Sequence, residues 1–415
     1  MNAGLLIPGR GAPVPDAAVV VDGAVIVYAG SEARAPAVSS APISVPVLMP
    51  GMWECHGHFT GERGADLAAL ATMHPALMGA RAGVDAGTVL RAGFTSVRDV
   101  GGIGVHLRRA VDDGTLVGPH IYSAGAIISP TGGHADLHMY PIGWVRDMCQ
   151  RTGITHICDG VPECLRAVRL QLRTGAELIK ICTSGGVMSE VDHPVHQQFN
   201  ADELRAIVGE AAQADRIVAA HAHGKPGIVA ALEAGVRTIE HGSYLDEETA
   251  DMMLELDATL VPTMLLVSEL LAHGREHGMP DYSHRKIVEI ADRHLEAVQT
   301  AIAKGVRIAL GTDVATSGAD QLGHWGQNAA ELPLLVNAGM TTLQAIEAAT
   351  ANGPITLGPR GPRSGQLAAG YDADMLGLTV NPLDDITALT KRATMSWIWK
   401  DGQPIKSNGT DHPPR

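Results

Sequence analysis

Between residue 52 and about residue 354, short apolar runs alternate with stretches whose apolar positions recur at helical spacing. The runs cover 52–59, 95–100, 120–128, 177–182, 217–221, 238–241, 259–262 and 306–311, eight in all. Between them, 161–174, 201–214, 227–234 and 284–304 read as helices, the second with Asn200 as its N-cap. Strands alternating with helices imply parallel pairing through right-handed crossovers. Eight such units predict an α/β fold, a (β/α)8 TIM barrel, with its chemistry at the C-terminal strand ends. The rival is an open doubly wound sheet, which requires a Gly-x-Gly-x-x-Gly turn after the first strand. His56-Gly57-His58 stands in that place instead.

Outside this region the pattern is that of strands and turns. Residues 17–21, the turn Asp22-Gly23 and residues 24–28 form a hairpin signal. Residues 31–42, rich in Ala, Ser and Pro, read as a connection, and 365–367, 370–378 and 395–402 read as strands again. The two chain ends are therefore expected to meet in one small β-sandwich. This predicts domains over 1–51 (sandwich, first part), 52–354 (barrel) and 355–415 (sandwich, second part, and tail). Residues 406–415, polar and Pro-containing, are expected to be disordered.

Polar residues gather at the ends of the eight runs. Residues two apart on an extended segment face the same side, so His56 and His58 present two imidazoles to one point. With 19 His in the chain, one such pair is unremarkable by itself. Its weight comes from the other strand ends: Lys180, His221 with His223, His241 and Thr312-Asp313. A metal shell needs neutral imidazoles and oxygen ligands converging on one spot. His56, His58, His221, His241 and Asp313 are too many for one tetrahedral zinc, so two metals are expected if something bridges them. Lys180 lies in an apolar run, where its charge is costly unless removed or paired. A carbamate formed with CO2 would be an anion with two bridging oxygens; a buried ion pair and a Schiff-base nucleophile are the other readings. Arg98-Asp99 reads as a salt bridge in the barrel mouth. His193 and His196, in the loop after the fourth run, are candidate substrate contacts. His74, His106, His120, His156, His273, His277, His284 and His294 read as structural.

Composition narrows the partners. The net charge is −14 with no Lys/Arg run, which argues against nucleic acid or an anionic membrane surface. Aromatic residues make up only 3%, too few for a base-stacking platform. Five cysteines without a Cys-x-x-Cys pair suggest a reducing, cytoplasmic setting. No apolar run approaches the roughly 20 residues of a membrane span. A small-molecule substrate and a homo-oligomer are expected.

The segment from Pro50-Gly51 to His58, together with Lys180, His221, His241 and Gly311-Thr312-Asp313, resembles the amidohydrolase superfamily in its binuclear, carboxylated-lysine form. Residues 131–136, 179–189, 219–224 and 239–247 resemble its imidazolonepropionase-like branch, which includes Xaa-Pro dipeptidases and ochratoxin and phenylurea hydrolases. The resemblance implies that His56, His58 and Asp313 bind the more buried metal and His221 and His241 the more exposed one. Carboxylated Lys180 and a hydroxide would be shared between two divalent ions, zinc first among them. Asp313 would shuttle the proton, and His134 would meet the substrate. His223 falls where several relatives carry Tyr, and Glu54 where many carry Asp.

The expected activity is hydrolysis of an amide-type C–N bond in an N-acyl amino acid, a Xaa-Pro-like dipeptide, or an aryl amide or urea. Cyclic-amide, ester or phosphotriester hydrolysis on the same centre is the alternative, and a non-catalytic metal-binding protein the remote one. Specificity is expected from rim loops 101–106, 132–159, 186–199, 265–283 and 315–327, with 265–283 a candidate lid.

Overall fold

The computed structural model describes residues 1–64 and 67–412. Its centre is a barrel of parallel strands. The first, Met52–Glu62, pairs with Phe94–Asp99, which pairs with His120–Ser123. The third strand breaks at residues 124–126 and resumes as Ile127–Ser129, which pairs with Ile179–Cys182. Gly125, at φ 68°, takes up the left-handed turn that the break needs. The parallel series continues through Val218–Ala222, Thr238–His241, Thr259–Val261 and Arg307–Ile308. Two backbone bonds link the remaining seams: Glu177 N to Ser123 O and Cys55 N to Leu310 O, each 2.8 Å. The sheet is thus a barrel and not an open doubly wound layer.

Helices Gly160–Thr174, Ala201–Ala212, Lys225–Ala234 and Asp281–Lys304 lie where helical spacing placed them. Asn200 caps the second by accepting from the backbone N–H of Asp202 and Glu203, and the Glu203 side chain answers to Asn200 N. Such a cap contributes about 1 kcal/mol. Ile179, Ile181, Ala220, Ile239, Leu260 and Ile308 pack outward in the main core. Alternation along a strand then turns Lys180 and Glu240 inward.

Both chain ends build one continuous eight-stranded sheet, in which Met375–Leu378 runs antiparallel to Ser44–Pro50. The expected hairpin is there, Val14–Asp22 against Val25–Ser31. The sheet has its own core around Leu6, Val19, Ile26, Leu48, Met375 and Trp399. It meets the barrel floor at His120, whose Nε2 lies 3.2 Å from Asp374 Oδ2.

Three expectations need correction. The expected disordered tail is ordered through its described part. Gln403–Ser407 and Thr410–Asp411 form a hairpin whose loop residues, Asn408 (φ 46°) and Gly409 (φ 81°), suit a two-residue turn. The remainder of that tail, 413–415, lies outside the described residues. Arg98 and Asp99 do not pair, because consecutive strand residues face opposite sides. Arg98 grips Glu240 inside the barrel, while Asp99 accepts from Phe59 N, Gly104 N and Ser123 Oγ. The expected rim loop 132–159 also carries structure of its own, helix Ile142–Thr152 and strand Thr155–Ile157.

Candidate metal centre

Six histidines pack ring to ring at the C-terminal mouth of the barrel. His56 lies 5.2 Å from His58 and 4.9 Å from His241 between ring centroids. His221 lies 4.7 Å from both His223 and His241, and 4.1 Å from His134. Two triads of ligand atoms each fall within 4.8 Å of one another: His56, His241 and Asp313, and His221, His223 and His241. Asp313 Oδ1 sits 3.0 Å from His58 Nε2 and 3.4 Å from His56 Nε2.

Backbone geometry at these positions is unusual. His241 (φ 69°), Asp313 (φ 63°) and Thr263 (φ 56°) all occupy the left-handed region. Each such residue costs of order 1–3 kcal/mol. The departure re-aims His241, which strict alternation after Ile239 would turn away from the mouth, and Thr263 Oγ1 lies 2.7 Å from its Nδ1. In the first strand the register shifts between Glu54 and Gly57 as the two histidines are reached. Gly57 is required there, since a Cβ would lie 2.4 Å from the Trp325 ring.

Each imidazole has a partner on its far side. His56 Nδ1 lies 2.7 Å from Glu240 Oε2, and His58 Nδ1 2.8 Å from Gly101 O. His221 Nε2 lies 3.2 Å from Gly185 O. Such partners fix the ring tautomer of a metal-binding histidine. Burial pushes His56 down to about 4, and burial with neighbouring imidazoles holds His221, His223 and His241 well below the usual histidine range. Neutral rings are the ligating form. Burial opposes ionisation of Asp313, but His56 and His58 outweigh it and lower its pKa.

Lys180 is 2% exposed, and its Nζ is buried without a hydrogen-bond partner. Burial lowers its pKa, which favours the neutral amine. An amine without a hydrogen-bond partner, among imidazoles and near the carboxylates of Glu240 and Asp313, is what a carbamate shared by two cations would resolve, so the donor set fits a metal pair.

His134 lines the mouth, with its Nδ1 2.9 Å from Ser189 Oγ. His223 Nδ1 lies 2.8 Å from Ser243 Oγ, which is 3.0 Å from Nδ1 of buried His294. His193 and His196 do not join the cluster: His193 Nε2 lies 3.5 Å from Glu289 Oε2, and His196 is exposed. Their loop folds back on itself, with His196 N bonded to His193 O, and this keeps both rings from the mouth. The residue pattern gives Glu240, Ser243 and Ser189 no role and marks His294 as structural; only the adjacency of Glu240 to His241 hints at more.

The cleft over the cluster has two apolar lobes. One runs from His58 and Asp313 past Leu70, Ile127, Leu137 and Ile154; the other runs from His223 and His241 past Val187, Ile287 and Ile290. Met188, Leu266 and Leu270 line both, so helix Met264–His273, in the expected lid segment, forms part of the wall between them.

Residues 47–405 match the model of the amidohydrolase family. The chain is 44% identical to an ochratoxinase of Aspergillus niger over 98% of its own length and 86% of that protein. The crystal structure of A. niger ochratoxinase superposes with a TM-score of 0.92 at 42% identity, covering 100% of this chain and 97% of that one. A prolidase complexed with N-methylphosphonate-L-proline gives 0.89 at 33% identity, covering 98% and 100%. A Xaa-Pro dipeptidase with methionine bound in its active site gives 0.85 at 29% identity, covering 98% and 99%.

Proposed function

The chain belongs to the amidohydrolase family and is a hydrolase of amide bonds, and from that premise we propose the reaction centre and the kind of substrate it serves. His56, His58 and Asp313 would hold one divalent metal and His221 and His241 a second, with Lys180, as its CO2-derived carbamate, completing the set. Zinc suits these ligands first. The observation that carries this reading is Lys180, buried and unpartnered beside the cluster of imidazoles. The substrate is a small molecule with apolar groups for the two lobes: an N-acyl amino acid, a Xaa-Pro-like dipeptide, or an aryl amide or urea.

When bound, the metal pair would polarise the scissile carbonyl and make hydroxide available from water near neutral pH. The protein's own residues do the rest. Asp313 accepts the proton released as the nucleophile attacks, and passes it to the departing nitrogen. An amide nitrogen leaves poorly without that proton. Glu240, gripped by Arg98, orients His56. His134 and His223 contact the substrate. The apolar lobes exclude water from the acyl and amine portions. We take 1–51 with 355–415 as the supporting sheet domain and 52–354 as the catalytic barrel. A cytoplasmic location and a homo-oligomeric state belong to the same proposal; no described helix is long and apolar enough to cross a membrane.

The test is metal content with and without chelator, followed by hydrolysis of N-acyl amino acids, acyl-prolines, aryl amides and phosphotriesters. Two metals per chain and amide turnover that chelation abolishes are expected. Metal-independent turnover, or phosphotriester cleavage without amide cleavage, would overturn the reading.

A further inference from the structure

His120 opens the third barrel strand at the floor, the end of the barrel away from the histidine mouth. Two carboxylates reach it from the small sheet. Asp374 stands just before strand Met375–Leu378, and Asp401 lies in the turn between Met395–Lys400 and Gln403–Ser407. His120 Nε2 lies 3.2 Å from Asp374 Oδ2 and 3.5 Å from Asp401 Oδ1. All three atoms fall within 4.8 Å of one another. One imidazole nitrogen and two carboxylate oxygens thus converge from both parts of the molecule.

Hydrogen bonding does not account for that convergence. Nε2 carries at most one hydrogen, and two oxygens compete for it. His120 Nε2 and Asp374 Oδ2 are buried atoms, and neither has a well-aligned hydrogen bond among the described residues. Asp374 is 3% exposed, and its other oxygen is committed, accepting from Asp401 N at 2.8 Å. That bond leaves Oδ2 turned toward the imidazole. A buried carboxylate oxygen without a donor is costly. The charge of Asp372 bears on the same group, so three carboxylates face His120 against the single positive charge of Lys400.

The spacing is that of a coordination shell. Zinc holds nitrogen and oxygen ligands at about 2.0–2.2 Å, which sets neighbouring corners of its tetrahedron about 3.3–3.6 Å apart. Both distances from Nε2 agree with that edge. The Asp401 side chain, 48% exposed, has room to close the third edge and leaves the fourth corner to water.

We propose that His120, Asp374 and Asp401 form a divalent-cation site, of zinc or an ion of like size, that ties the barrel floor to the small sheet. It is separate from the metal centre at the mouth. The ion takes the place of the imidazole's own proton: chelated protein keeps an imidazolium between the carboxylates, and metal binding releases that proton. With only three protein ligands, one of them half exposed, the site binds more weakly than the mouth. It fills when zinc is supplied beyond the two ions held there.

Zinc titrated into the full-length, metal-loaded protein tests the proposal by counting ions. At saturation the wild type should hold one zinc ion per chain more than Asp401→Asn or His120→Asn, whatever the mouth itself takes up. Asp401 (φ 52°) occupies left-handed backbone that asparagine adopts as readily as aspartate, so Asp401→Asn keeps the turn and the volume. At free zinc a hundred times the dissociation constant of the extra ion, the wild-type unfolding constant should fall about a hundredfold further than that of Asp401→Asn. Amide turnover should be equal in all three proteins, because the floor lies away from the mouth. Equal zinc content in the wild type and Asp401→Asn would overturn the proposal, as would an extra ion kept by His120→Asn. Turnover lost together with the extra ion in both variants would also overturn it, since the ion would then belong to the mouth.

Discussion

Glu240 Oε2 lies 2.7 Å from His56 Nδ1, and the Glu240 carboxylate also takes two hydrogen bonds of 2.7 Å from Arg98. All three side chains are buried, and Glu240, although burial opposes its ionisation, is held as the anion chiefly by Arg98. The relationship joins a candidate metal ligand to a buried ion pair inside the barrel. Disturbing the pair should therefore register both in metal binding and in folding. Glu240→Gln keeps the shape but leaves Arg98 without its counter-charge. Metal affinity should fall about 10–100-fold, as for other partners of metal-bound histidines. Stability should fall by about 3–5 kcal/mol, as when one member of a buried pair is lost. Metal titration and denaturant unfolding of the metal-free protein check the two effects separately.

Lys180→Ala should leave the barrel folded, because the side chain makes no hydrogen bond that folding depends on. Metal content should drop from two ions per chain to one or none, and amide turnover should fall with it. A carbamate carbon signal, observed after growth or incubation with labelled bicarbonate, should be present in the wild type and missing in the variant. A variant that still holds two metals would remove Lys180 from the bridging role.

Asp313→Asn removes the proton acceptor while keeping the side-chain volume. General acid–base catalysis of this kind contributes about 10²–10⁴-fold, and the loss should fall on kcat more than on KM. Steady-state kinetics at saturating metal decide it. Undiminished kcat would end the proton-shuttle role.

Gly57→Ala drives a Cβ into the Trp325 ring, which itself stacks on Phe59 at 4.2 Å. Overpacking of this kind costs about 1–3 kcal/mol. A smaller side chain at Trp325 in the same protein should recover part of the loss. Thermal unfolding of the single and double variants reads the effect.

His120 joins the barrel floor to the small sheet through Asp374 and Asp401. Burial alone would lower its pKa, but the Asp374 bond and charge outweigh burial and raise it. A raised histidine contributes stability that is fully present below its unfolded pKa of about 6.5 and is lost as pH rises through the folded value. Unfolding free energy should thus decline on raising the pH above about 6.5, and His120→Asn should flatten that part of the profile. Urea unfolding between pH 6 and 9 on both proteins checks it.

Much of this architecture is legible in the residue pattern because periodicity reports side-chain direction. Ile179 and Ile181 pack in the main core on either side of Lys180, and alternation turns the buried lysine to the opposite face of the strand. Thr238–His241 has the bounds that the pattern predicts. The same logic ordered the strand ends from which the proposed ligands come. The terminal hairpin was legible too, in Asn408-Gly409, but its polar composition read as disorder. Arg98-Asp99 shows the opposite failure: proximity in the chain suggested a pair that strand alternation forbids.

By itself, the sequence determined the alternation of strand and helix, the polar strand ends, and the His-Gly-His step with which the barrel begins. These are local properties, encoded in periods of two and 3.6 residues. The tertiary structure alone decided which strand ends face each other across the mouth, and what stands behind each imidazole. Glu240 is 184 positions from His56, and Lys286 is 94 from Asp192. No short-range pattern carries such pairings; barrel closure makes them, and it also confines His241 and Asp313 to left-handed backbone that their residue types do not announce.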